Sequence, residues 1–281
     1  MASIAIVTDS TADVPAEFLE KYDIHVVPLY VHIGDKFYRD MVELPPNLFY
    51  PMLRESVELP TTSQPAVGDF VQVYEKLIAQ GKQVISIHIS SVLSGTFQSA
   101  SLAKLSVPQG QVEVIDSEAV TLSLGWQVVA AAEAVAKGWE VEDILHLIKE
   151  VGSQVKMFAA IDTLEYLYKG GRIGKVAAFL GSMLNFKPII TMENGGLVPF
   201  SRVRSQKQVL RKLVEVAEQD WLKYGKKLRI GVIHTACPEV AQELRQMIKE
   251  KLNLVDLPPL VEAGAVLGTH VGPGALGISY Y

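Results

Sequence analysis

The chain has 281 residues, of which 49% are apolar and 20% charged, and its formal net charge is −5. That is material for one large core or two smaller ones, so a globular protein of one or two domains is expected. An acidic chain without a basic block argues against nucleic-acid binding, which rests on phosphate contacts, and no apolar run is long enough to span a bilayer.

Cys237 is the single cysteine, so neither an internal disulfide nor a thiolate-rich metal site can form, and the six histidines are scattered singly. Met1 to Asp9 has no cationic start and no long apolar stretch, hence no signal peptide is expected. These features predict a reduced, soluble, cytoplasmic protein with no metal, no cofactor and no stable membrane insertion.

Ile4 to Thr8 reads as a strand that ends in Asp9-Ser10-Thr11-Ala12-Asp13. Asp13 is placed to cap a helix with Pro15 in its first turn and Phe18, Leu19 and Tyr22 on its buried face. Ile24 to Val31 reads as a second strand, and Gly34-Asp35 turns the chain back towards Arg39. Pro45-Pro46 starts a helix carrying Leu48, Phe49, Met52 and Leu53. Leu59 to Pro65 is a stiffened polar linker whose hydroxyls either face a ligand or serve ordinary turns. Val67 to Ala79 is amphipathic at helical spacing.

Val84 to Ile89 is a buried strand running into Ser90-Ser91-Val92-Leu93-Ser94-Gly95-Thr96 and a short helix. A strand that ends in hydroxyls and glycine before a helix exposes backbone N–H groups beside O–H donors, which suits phosphate or carboxylate. Simple capping of that helix by Ser94 or Thr96 is the alternative. Val112 to Ile115 is a further strand, ending in Asp116-Ser117, and Leu122 to Ala136 and Val141 to Val151 are helices. This alternation predicts βαβ units, a mostly parallel sheet, and a ligand crevice beyond the carboxyl ends of its strands.

A domain boundary is expected near Gly152, giving domains 1–152 and 153–281. Lys156 to Ile161 is a strand, Thr163 to Tyr168 a helical turn, and Val176 to Leu184 an apolar helix. Asn194-Gly195-Gly196 marks a hairpin between Pro188–Met192 and Leu197–Val203, with Arg202 and Arg204 at its end. Helices follow at Gln206 to Leu222 and Val240 to Leu252, strands at Leu228 to Ile233 and Leu260 to Ala263, and a glycine-rich tail holds His270.

Gly272, Gly274 and Gly277 match G-x-G-x-x-G, but a dinucleotide site needs a strand before and a helix after, and the chain runs out. The glycines are expected to serve a tight turn or a close approach. There is no P-loop and no H-E-x-x-H, and Val92 and Thr96 stand where a nucleophile elbow around Ser94 needs glycine. Arg172, between glycines, is either solvated or an anion clamp.

Several segments, in order and spacing, resemble the DegV family: Asp9 to Asp13, Thr62-Ser63-Gln64-Pro65, Leu93-Ser94-Gly95-Thr96 with Ser99-Ala100, and Asp116-Ser117. Leu164 to Leu167 with Lys169 to Ile173, Arg204, and Gly268 to Gly274 extend the resemblance from end to end. It implies two α/β domains, the first with a mostly parallel sheet flanked by helices and the second with a mixed sheet, and a long-chain fatty acid in a tunnel between them. After those members that serve a bacterial fatty acid kinase, it implies a protein not catalytic alone. Such a protein presents the carboxylate to a separate ATP-binding kinase subunit, which leaves an acyl phosphate. On this resemblance Thr62 and Ser94, with Gly95 and Thr96 beside it, hold the carboxylate. His270 and Arg172 complete the polar end, and Arg204 faces the kinase or the phosphate. Ala66 departs from the family, where serine often follows Gln-Pro. Phe97, Phe179, Leu180, Met183 and Leu184 are expected in the apolar wall. The alternatives are a stand-alone enzyme, either a Ser94-dependent esterase or a small-molecule kinase, and a lipid sensor or storage module.

Overall fold

The computed structural model describes residues 3–225 and 227–281, with side chains described throughout except at 181–185. The first half runs β1 (Ser3–Asp9), α1 (Ala16–Lys21), β2 (His25–Val27), β3 (Tyr30–Ile33), β4 (Lys36–Arg39), α2 (Pro46–Glu55) and β5 (Thr61–Ser63). It continues through α3 (Val67–Ala79), β6 (Lys82–His88), α4 (Thr96–Lys104), β7 (Val112–Asp116), α5 (Leu122–Ala136) and α6 (Val141–Gln154). The apolar strands form a parallel sheet in the order β2-β1-β6-β7, as the alternation with helices demands.

Three local expectations change. The stretch from Ile24 to Val31 is two strands in two sheets, because Pro28 cannot donate to a ladder and breaks it. The stretch between Leu59 and Pro65 is not a linker throughout, since Thr61–Ser63 pairs with Tyr30–His32 and closes a small antiparallel sheet, β4-β3-β5. Asp13 does not cap α1, which begins after Pro15; its backbone is left-handed (φ 45°) and its carboxylate turns to other partners.

The second half runs β8 (Lys156–Ala160), α7 (Glu165–Lys169), a 3-10 run Gly174–Asn185, β9 (Lys187–Glu193), β10 (Gly196–Val203) and α8 (Gln206–Lys223). Then come β11 (Ile230–His234), α9 (Pro238–Leu252), β12 (Leu260–Glu262), α10 (Ala265–Val271) and β13 (Leu276–Tyr280). The six strands form a mixed sheet, β10-β9-β8-β13-β11-β12. The glycine-rich tail forms a helix and a central strand, with β13 antiparallel to both β8 and β11. G-x-G-x-x-G follows a helix and runs into a strand, the reverse of a dinucleotide site; Gly272 (φ 71°) turns the chain where the Tyr166 ring lies against it.

Two α/β lobes thus share a middle layer. Strand alternation puts Phe158 and Ile278 on one face of the mixed sheet, where Leu213 of α8 and Leu244 of α9 bury them. The opposite face receives α5, which packs on β1 and β6 of the parallel sheet and on β13 of the mixed one. Sandwiched on both sides, α5 is apolar nearly all round, which is why its sequence is rich in Ala and Val rather than amphipathic. Trp126 Nε1 donates to the Ser279 carbonyl at 3.2 Å, pinning the helix to the second sheet.

Candidate functional site

Where α5 leaves room, the lobes enclose a cavity of about 1020 Å3, its mouth included. Met157, Ala159 and Ile161 line it from alternate positions of β8 and its end, and Ile190 and Leu197 extend that wall. Ile89 and Val120, at the carboxyl ends of the parallel sheet and the loop beyond β7, face them. Phe97, Phe179 and Leu180 are not in this wall. Strand residues facing the gap supply it, while the Phe179 ring carries the Arg202 guanidinium and Leu180 is exposed. The side chains of Met183 and Leu184 lie outside the described part.

The polar end gathers four of the side chains singled out from the sequence: Thr62, Ser94, Arg172 and His270. Thr62 comes from β5 and His270 from the last turn of α10, and Thr62 Oγ1 lies 2.7 Å from His270 Nε2. Gly170 lets the imidazole in, since a Cβ there would come within 2.5 Å of Nδ1. Nδ1 has no hydrogen-bond partner among the described residues; in the tautomer with the proton on Nε2, that nitrogen donates to Thr62 Oγ1. The Thr62 O–H is then free to donate into the cavity. Burial, and after it the Arg172 charge, push His270 down to about 4, so the ring is neutral at neutral pH.

Arg172 stands at the mouth, where Nε donates to the Leu93 carbonyl at 3.2 Å and Nη1 to the Gly170 carbonyl at 2.8 Å. It also borders two surface depressions, one beside Ser94 and one beside Thr62 and His270. The Ser94 hydroxyl pairs with Thr96 Oγ1 at 2.9 Å, in front of the α4 amino end. Thr96 is fully buried behind it and does not line the cavity, and Gly95 sits against the Gln64 amide on the outer side. Arg204 is exposed away from the cavity, its guanidinium 5.2 Å from the centre of the Phe186 ring.

No hydrogen bond described at the Ser94 hydroxyl reaches a histidine; its described partner is Thr96. An Asp–His–Ser chain does exist elsewhere. Asp9 accepts from His88 Nδ1 at 3.0 Å, and His88 Nε2 lies 2.7 Å from Ser86 Oγ, to which the Tyr74 hydroxyl donates. All four side chains are fully buried and none lines the cavity, so this chain ties β1, β6 and α3 together. Among the described residues no cluster of three or more His, Cys, Asp or Glu is placed to hold a metal. Burial pushes the Cys237 thiol up to about 11, which keeps it unreactive.

Two supporting residues, Asp40 and Thr121, escaped the sequence reading, and Asp13 takes a different role from the cap expected of it. Asp13 and Asp40 accept backbone N–H groups at the start of α10, the helix that carries His270. Thr121, on the cavity wall, holds φ at 51°, a costly conformation for a β-branched residue, and donates to Asp13 Oδ2 at 2.7 Å. Asp40 and Thr121 carry no local signal, because their partners are remote in sequence.

A family model described as "Uncharacterised protein, DegV family" matches residues 3–281. Protein DegV of Bacillus subtilis is 39% identical over 279 residues, covering 99% of each chain. Its crystal structure, described as that of a fatty acid binding protein, superposes with a TM-score of 0.91 over 100% of this chain and 99% of that one. A Thermus thermophilus DegV family protein, described by its fatty acid binding, is 35% identical with a TM-score of 0.93 and 99% coverage of both chains. A protein of Eubacterium ventriosum described as binding stearic acid is 28% identical, with a TM-score of 0.90 over 99% of this chain and 97% of that one. On sequence and architecture alike, this chain belongs to the DegV family.

Proposed function

We propose that this protein binds a long-chain fatty acid between its lobes, residues 1–152 and 153–281, in the cytoplasm. It presents the carboxylate to a separate ATP-binding kinase subunit that converts it to an acyl phosphate. The observation that carries the reading is the Thr62–His270 pair at the polar end of a mostly apolar cavity. Burying each methylene contributes about 0.8 kcal/mol, so a sixteen-carbon tail supplies on the order of 10 kcal/mol before entropy losses. The carboxylate must then be hydrogen-bonded, since an unpaired buried charge is far too costly.

Thr62 can donate its free O–H while His270 holds its oxygen from behind, and Ser94 can turn its O–H from Thr96 to the ligand. Arg172 supplies the positive charge at the mouth, and Gly95 and Thr96 fix Ser94. This arrangement binds an anion without activating a nucleophile, which favours a carrier over an esterase. Arg204, exposed and outside the cavity, is assigned to the kinase or the transferred phosphate. Native mass spectrometry of the purified protein tests the ligand, and reconstitution with a fatty acid kinase subunit and ATP tests the transfer. Failure to retain any added fatty acid would remove the whole reading; retention without phosphorylation would leave a storage protein or sensor.

A further inference from the structure

Met157 is the one described residue that lines both the apolar cavity and a second crevice. That crevice measures about 1750 Å3 with its open side and lies between α5 and α6 of the first lobe and β8 and β9 of the second. Leu145, Ile148, Met192 and Phe200 face it. The Phe200 ring rests on Phe158, centroids 4.6 Å apart, yet stays 40% exposed.

The polar head of the cavity lies at the carboxyl end of β8, because that strand leads into α7, which packs against the His270 helix α10. A tail running back along the strand passes Ile161 and Ala159 and meets Met157 roughly 13 Å further on, at about 3.3 Å per residue. Met157 is itself buried, and its unbranched thioether chain changes rotamer at small cost.

We propose that Met157 is the movable end wall of the acyl site, and that the crevice behind it receives the methyl end of chains too long for the cavity. This rests on the fatty-acid reading above. Charged side chains, Asp116, Glu118, Lys149, Lys156 and Glu193, also line the crevice, so the part that suits hydrocarbon is where Leu145, Ile148 and Met192 meet, beside polar groups that are already paired. The Thr191 hydroxyl donates to the Met157 carbonyl at 2.7 Å, Gln127 Nε2 donates to the Ser117 and Ser123 carbonyls, and Ser123 shares a hydrogen bond with Ser279. A tail covering these groups strands none of those bonds.

The test presents lipid-free protein with an equal mixture of saturated fatty acids from twelve to twenty-two carbons and reads retention by native mass spectrometry. Met157→Ala moves the upper length limit to longer acids, whose retention rises about tenfold over wild type, and Met157→Phe moves it to shorter ones. Leu145→Trp, which fills the crevice, returns the limit of Met157→Ala to that of the wild type. Identical limits in all these proteins, each still holding the shorter acids, overturn the proposal. A shift with Met157→Ala that Leu145→Trp does not reverse overturns the role of the crevice. Retention of no acid by the wild type defeats the fatty-acid reading itself, and this proposal with it.

Discussion

The carboxylate of Asp40 accepts the backbone N–H of Ala265 at 2.8 Å, across 225 residues of sequence. Asp13 accepts the N–H of Gly264 at 3.1 Å, and the Tyr50 hydroxyl donates to the Ala263 carbonyl at 2.8 Å. Groups from the first lobe therefore satisfy the free amino end of α10, where negative charge also suits the helix dipole. His270 sits at the other end of that helix, so its place beside Thr62 depends on the two acids. Asp40→Ala leaves the Ala265 N–H unpaired and should cost roughly 1–3 kcal/mol in urea denaturation.

Burial drives both acids up, Asp13 to about 7 and Asp40 to about 6 from 3.8. A carboxyl raised on folding stabilises the fold fully below its unfolded value, and this contribution is lost as pH rises through the folded value. The stability of the wild type relative to Asp13→Asn should therefore fall between about pH 4 and about pH 7. Thermal melts of the two proteins across that range check it; a constant difference would show that Asp13 is ionised throughout.

His270 runs the other way. Its value drops from 6.5 to about 4, so its contribution is present above 6.5 and is lost as pH falls through about 4. A carboxylate at the polar end favours the imidazolium, so a bound fatty acid should raise the midpoint. Ring proton shifts recorded by NMR with and without ligand read this directly, and an unchanged midpoint would place the carboxylate elsewhere.

Thr62→Ala and Ser94→Ala should each weaken fatty acid retention by roughly 1–3 kcal/mol, as expected when a buried polar group loses its donor. Competition binding measured by native mass spectrometry gives the value. Loss of fold in either variant would instead show as an earlier urea midpoint, so the two effects separate.

Arg204→Ala should leave fatty acid binding unchanged and depress phosphorylation by the kinase subunit. If the variant instead purifies empty and takes up no lipid, the arginine supports the cavity rather than the partner.

Much of the framework follows from local pattern. Val67–Ala79 and Leu122–Ala136 are read at their observed ends, and Asn194-Gly195 marks its hairpin, because periodicity and turn chemistry act over a few residues. The short-range signals failed where a partner decides. Thr61–Ser63 is a strand only because β3 offers it an edge, and Leu276–Tyr280 only because two strands flank it. Motif resemblance named Thr62, Ser94, Arg172 and His270, yet the 2.7 Å contact between Thr62 and His270 spans 208 residues and has no local trace. The amino-acid order alone thus determined most of the helices and strands and which family they compose. Tertiary structure decided where the lobes leave a gap, what lines it and how its polar groups pair, since those are relations between surfaces remote along the chain.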